Sequence, residues 1–174
     1  MLLTVILLLF TSTCNCQLRS SWRGRWFTVK SIGGGVRVLA VVPEEMQQVL
    51  LKQLAPLNMT VVCAQRALEI TRLVGKGAVF HVALLPAAPS DAEWWASWGE
   101  LSLAEPRPEV LVYARATSFQ LWTGVLDMGG FDVVVQPFSE AEIQDAVLRA
   151  VRCFQGRAKR ARSRRKVRDT ASSQ

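Results

Sequence analysis

The sequence predicts an α/β domain: a doubly wound sheet of five parallel strands with helices on both faces. Three observations point to it. Five apolar runs of strand length, at 36–42, 59–63, 79–85, 110–114 and 131–135, alternate strictly with five segments of helical periodicity. The runs are continuous instead of alternating in polarity, as strands buried on both faces are, and that condition belongs to parallel sheets. Start and stop residues stand where each helix should begin and end. Strict alternation of this kind builds a parallel sheet through crossover connections.

The first run is followed by Pro43, Glu44 and Glu45, and acids suit a helix N-terminus. Met46, Val49, Leu50 and Leu54 then share one helical face, and Pro56 closes that helix. After the second strand, Ala67, Ile70, Leu73 and Val74 mark a helix stopped by Gly75 and Gly77. The third strand leads to Ser90-x-x-Glu93, a capping box for a helix carrying Trp94, Trp95 and Trp98. Pro106 and Pro108 bracket a loop before the fourth strand. Thr117-x-x-Gln120 caps the fourth helix, which runs to about Met128.

The last unit is the best defined. Gly129 and Gly130 stop a helix, because glycine takes the left-handed conformation without steric cost. A buried strand follows, and Pro137 ends it for want of an N–H. Ser139 and Glu142 form a capping box, with Phe138 and Ile143 at staple spacing around it. The fifth helix therefore starts at Glu140 and runs to about Phe154.

At 174 residues and 50% hydrophobic, the chain can bury one good core. The net charge of +7 is misleading as an average, because 157–168 carries eight Lys and Arg and no acid, which leaves −1 for everything else. Cys14, Cys16, Cys63 and Cys153 lack metal-ligand spacing, and the single His81 cannot complete a zinc set, so no metal or cofactor is expected. Cys63 and Cys153 lie in apolar elements and read as small core residues, which suits a reducing, cytoplasmic compartment. The apolar run at the start is too short to span a bilayer as a helix. Three readings of 1–17 stand open: an export signal, a short membrane anchor, or residues translated from a misassigned start. Exported or membrane-associated placement would follow from the first two. Residues 18–35 read as a basic, Gly-rich linker, 36–154 as the folded domain, and 155–174 as a basic disordered tail.

The segment 36–154 resembles the receiver domain of bacterial response regulators. The markers are Arg37-Val38-Leu39-Ala40-Val41-Val42 followed by Leu50-Leu51-Lys52, then the Gly129-Gly130-Phe131-Asp132 turn, then Gln136-Pro137-Phe138-Ser139, which is similar to that family's Lys-Pro-Phe. The resemblance implies strand order 2-1-3-4-5, a flavodoxin-like sheet, and a cis Gln136–Pro137 bond. It also implies phosphoryl transfer to an aspartate ending strand three, with an acid pair for Mg²⁺ after strand one, a hydroxyl ending strand four and a lysine ending strand five. Those parts answer a physical need: Mg²⁺ wants carboxylate oxygens, and phosphoryl charge wants a metal, a hydroxyl and an ammonium. Here the acid pair falls on Val42 and Pro43, the acceptor on Pro86, the hydroxyl on Ala114 and the lysine on Gln136. A shift of register recruits Glu44, but a single acid without an acceptor does nothing useful. Asp91 lies past the strand end and reads as support for a helix N-terminus. The expectation is a degenerate receiver, or pseudo-receiver, with no catalytic residues.

Other features have two readings each. Trp94 and Trp98, four residues apart, share a helix face that reads as core or as a partner surface, while Trp95 points elsewhere. The basic residues Arg157, Lys159, Arg160, Arg162, Arg164, Arg165, Lys166 and Arg168 read as a solvated tail, or as contacts to nucleic acid or an anionic membrane surface. Val147, Val151 and Phe154 form an apolar stripe that a homodimer could share with the core. Ser, Cys and His assemble no nucleophile arrangement, and no Gly-rich phosphate loop follows a strand. The function expected is a phosphorylation-independent protein-interaction module, binding a signalling or regulatory protein. The alternative is a nucleic-acid-associated accessory protein that binds through its tail.

Overall fold

The computed structural model describes residues 35–88 and 91–171, the side chains of 165–171 apart. The apolar leader, nearly all of the linker and Ser90 of the expected capping box lie outside the described residues. Five strands, β1 (Arg37–Val41), β2 (Thr60–Ala64), β3 (Val82–Pro86), β4 (Glu109–Ala114) and β5 (Asp132–Val135), alternate with α1 (Glu44–Leu54), α2 (Ala67–Gly75), α3 (Ala92–Leu103), α4 (Phe119–Asp127) and α5 (Glu140–Ala171). The strands form one sheet in the order β2-β1-β3-β4-β5, and every pair is parallel.

Period-two alternation splits the core into two layers. Val38, Ala40 and Val42 face Leu50 and Leu54 of α1 and Ile143, Val147 and Val151 of α5. Their neighbours Leu39 and Val41 face the other way, toward Ile70 of α2, Trp94, Trp98 and Leu101 of α3 and Val125 of α4. Both faces are covered, so the strands needed no polar side. β4 is buried along its whole length. Full burial of a side chain such as Leu39 or Ile143 contributes roughly 1.5–3 kcal/mol. Trp94 and Trp98 are core, as their shared face allowed, and Trp95 is half exposed.

The helix starts hold small corrections. α3 is capped by Asp91, whose carboxylate accepts from the Glu93 N–H at 2.9 Å. α4 is capped by Ser118, one residue later than the expected Thr117, with its Oγ accepting from the Leu121 N–H. The box at α5 forms as read: Ser139 Oγ accepts from Glu142 N–H, and the Glu142 carboxylate accepts from Ser139 N–H. β3 opens at Val82 instead of 79; just before it the His81 N–H donates to the Arg37 carbonyl and the His81 carbonyl accepts from the Glu109 N–H.

Two larger corrections concern α5. The basic segment expected to be disordered from 155 continues the helix to Ala171. Gly156 stays in ordinary helical backbone, and the Ala, Arg and Lys residues beyond it are strong helix formers that extend an existing helix without a new nucleus. The stripe Val147, Val151 and Phe154 is core and cannot serve a homodimer.

The turn into β5 is tightly made. Gly129 has φ of +80°, and Gly130 packs so closely that a Cβ there would meet Val125 Cγ1 at 2.5 Å and the Val125 carbonyl at 2.8 Å. Overpacking of this kind costs about 1–3 kcal/mol. Gly130→Ala is therefore expected to lower the urea unfolding free energy by about 2 kcal/mol. A change within about 0.5 kcal/mol, the range of an ordinary surface substitution, would contradict the packing described.

Candidate functional site

In a doubly wound sheet the crevice for a ligand opens at the carboxyl ends of the strands, where the strand order reverses. Here that point lies between β1 and β3, and the sequence-derived positions converge on it and the neighbouring ends. Val42 follows β1 and is 3% exposed. Pro43 precedes α1, Pro86 ends β3, Ala114 ends β4, and Gln136 follows β5. The β3–β4 and β4–β5 ladders join these ends, pairing Pro86 with Tyr113 and Ala114 with Val135, and Gln136 N–H donates to the Ala114 carbonyl at 2.7 Å.

The polar groups around these ends are turned to the backbone or to each other. Tyr113, buried on β4, donates its hydroxyl to the Val41 carbonyl at 3.0 Å and so ties β4 across β3 to the end of β1. Burial pushes its pKa up, which keeps it a donor. Trp94 donates its indole N–H to the Pro86 carbonyl at 2.5 Å. Gln47, 4% exposed, reaches the Val42 carbonyl at 3.4 Å, and the Gln136 amide lies 2.9 Å from the Met46 sulfur. The Gln136–Pro137 peptide is cis, as the resemblance implies.

This donor set does not fit the Mg²⁺ of the receiver fold. A hard cation needs several oxygen ligands, typically carboxylates. The strand ends present valine, two prolines, alanine and an amide, and Glu44 lies exposed at the start of α1. Among the described residues no cluster of three His, Cys, Asp or Glu could hold a metal. Among the described residues no nucleophile stands at the end of β3. Cys63 on β2 is pushed by burial up to about 11, which leaves it a thiol at neutral pH.

The opposite end of the sheet is polar and was not read from the sequence. Arg107 donates to the carbonyls of Met128 and Gly129 at 3.2 and 3.1 Å, closing the end of α4. Glu109 is buried, with its Oε1 3.2 Å from the Arg157 guanidinium but not aligned for a hydrogen bond. Arg157 also donates to the Arg107 carbonyl and stands 5.9 Å from the Phe154 ring. Of the eight basic residues singled out, Arg157 is thus bound to the domain, whereas Lys159, Arg160, Arg162 and Arg164 are exposed along α5. Arg165, Lys166 and Arg168 belong to the same helix. The signal for the Arg157 contact was a lone glutamate opening an apolar strand, since a buried carboxylate requires a partner. A third region is the α4–β5 side, where Phe119 is 79% and Trp122 42% exposed beside exposed Val135. There Arg149 pairs with Asp132 and Asp145 at 3.0 and 2.9 Å.

His81 sits at the polar end with its Nδ1 accepting from the Arg37 N–H at 3.2 Å and its ring 4.7 Å from that of Phe154. Burial, and then the Arg37 charge, lower its pKa below 6.5. The unfolded chain therefore takes the proton first, so the stability from neutral His81 is fully present above pH 6.5 and lost as pH falls below it. Urea midpoints measured from about pH 7.5 to about 5.5 should fall more steeply for the native protein than for His81→Gln, which has no group titrating there. Parallel profiles would contradict the assignment.

No family model matches the sequence, and no curated protein matches it. Solved structures do. A pilus assembly-related protein from Burkholderia pseudomallei is similar with a TM-score of 0.57 at 21% identity, over 67% of this chain and 89% of that one. The CpaE2 pilus assembly protein of Sinorhizobium meliloti gives 0.54 at 20% identity, over 67% and 99%. The signal receiver domain of a LuxO repressor protein from Vibrio parahaemolyticus gives 0.61 at 11% identity, over 71% and 95%. The strand order agrees with these neighbours, and the chain has the fold of the response-regulator receiver domain.

Proposed function

We propose that this chain is a degenerate receiver domain that works as a phosphorylation-independent protein-interaction module in two-component-type signalling, and is not an enzyme. The observation that carries the reading is the chemistry at the carboxyl ends of the strands. Phosphoryl transfer needs an acceptor carboxylate, metal ligands, a hydroxyl and a cation together. Val42, Pro43, Pro86, Ala114 and Gln136 supply none of them, and Trp94 and Tyr113 spend their donors on the carbonyls of Pro86 and Val41. What the fold then offers a partner is surface. One exposed apolar surface is formed by Phe119 and Trp122 of α4 with Val135 of β5, and tryptophan is enriched among interface anchors.

The test is a melting-temperature titration with beryllofluoride and Mg²⁺, repeated with acetyl phosphate. Beryllofluoride mimics an aspartyl phosphate only where an acceptor carboxylate and metal ligands exist. No saturable shift is expected with either reagent. A saturable shift that disappears when Mg²⁺ is removed would overturn the reading, because it requires an acidic site.

A further inference from the structure

We propose that the part of α5 beyond the core, from Arg157 onward, is a rod that binds the major groove of duplex DNA through its phosphates, independently of the protein-docking role of the domain. α5 is 32 residues long, and its second half leaves the packed domain. The rod is aimed from its root. Arg157 pairs with Glu109 at 3.2 Å and donates to the Arg107 carbonyl, so the first turn outside the core is fastened to the sheet.

The distribution of charge selects the partner. At 100° per residue, Lys159, Arg160, Arg162 and Arg164 lie roughly 200°, 300°, 140° and 340° from Arg157 around the axis. All four are exposed. Cations therefore surround the helix instead of forming a stripe. A membrane plane or an acidic protein face meets one side of a helix and would leave the others unpaired. A helix lying in the major groove of B-form DNA has a phosphate backbone on each flank, and the groove is wide enough to admit it.

Composition agrees. From 157 to 171 there is no Leu, Ile, Met, Phe or Trp to insert into a bilayer. No aromatic residue is present to stack on single-stranded bases. The major groove of A-form RNA is too narrow and deep for side chains to read. Asp169 is the single acid in the segment. Like charges four apart at Arg160 and Arg164, and three apart at Lys159 and Arg162, oppose the helix in isolation. Phosphates on both flanks relieve that repulsion.

The experiment is fluorescence anisotropy of the full chain with a labelled DNA duplex of about two helical turns. The logarithm of affinity should fall with the logarithm of salt with a slope of about −4 or steeper, at about −0.9 per phosphate contacted. Arg160→Ala with Arg162→Ala should make the slope shallower by about 2. Ala161→Pro keeps every charge but interrupts the rod outside the packed domain. It should bind the duplex at least about tenfold more weakly, while urea unfolding still shows a cooperative domain whose midpoint falls by no more than that of Arg157→Ala, since the proline ring meets the Arg157 carbonyl. Binding by Ala161→Pro as tight as by the native chain would overturn the groove. Tighter binding to phosphatidylserine vesicles than to duplex would overturn the choice of nucleic acid. A response to beryllofluoride leaves this inference untouched, so the two readings fail separately.

Discussion

A parallel sheet covered by helices on both faces keeps water away from its own interior, so any charge at its strand ends must be neutralised on the spot. That constraint governs the rest of this structure. The receiver fold can carry acids at this place only by bringing a metal and a lysine to meet them. Here the same place is filled by Val42, Pro86 and Ala114, and the demand for counter-charge disappears. The polar groups that remain nearby, the Tyr113 hydroxyl and the Trp94 indole, are satisfied by backbone carbonyls of the neighbouring strand ends. An apolar end is thus a consistent solution in which each part depends on the others.

Replacement of one part by an acid would break that consistency. A carboxylate at the end of β3 would stand opposite Tyr113 in the ladder, with Val42 and Pro43 where its metal ligands should be. The apolar character is therefore a property of the whole end of the sheet. The α4–β5 side and the projecting half of α5 are the surfaces on which the proposed contacts rest.

Much of the fold was legible in the sequence because it rests on local signals. The five apolar runs, the Gly129-Gly130 stop and the Ser139–Glu142 box are each decided within a few residues, and the structure bears them out. The caps of α3 and α4 were placed a residue early, because Ser, Thr and Asp neighbours compete and one side chain's reach decides. The substituted positions were readable because each directly follows, or ends, a recognisable strand. What could not be read was long-range: the Tyr113 bond to Val41 spans 72 residues and the Arg157 contact with Arg107 spans 50. The second half of α5 was misread for another reason. Its composition lacks core-forming residues, but helix propensity does not require a core, and the packed first half supplies the nucleus.

The central claim is that the strand ends form an apolar plug with no place for a metal-bound phosphoryl group. Pro86→Asp tests it most directly, by urea unfolding with and without Mg²⁺. The account predicts a loss of about 1 kcal/mol, the low end for a polar group without partners because position 86 is only partly buried, and no recovery on adding Mg²⁺. Recovery of stability by Mg²⁺, or phosphorylation of the variant by acetyl phosphate, would contradict it, because either requires carboxylate ligands that the plug excludes.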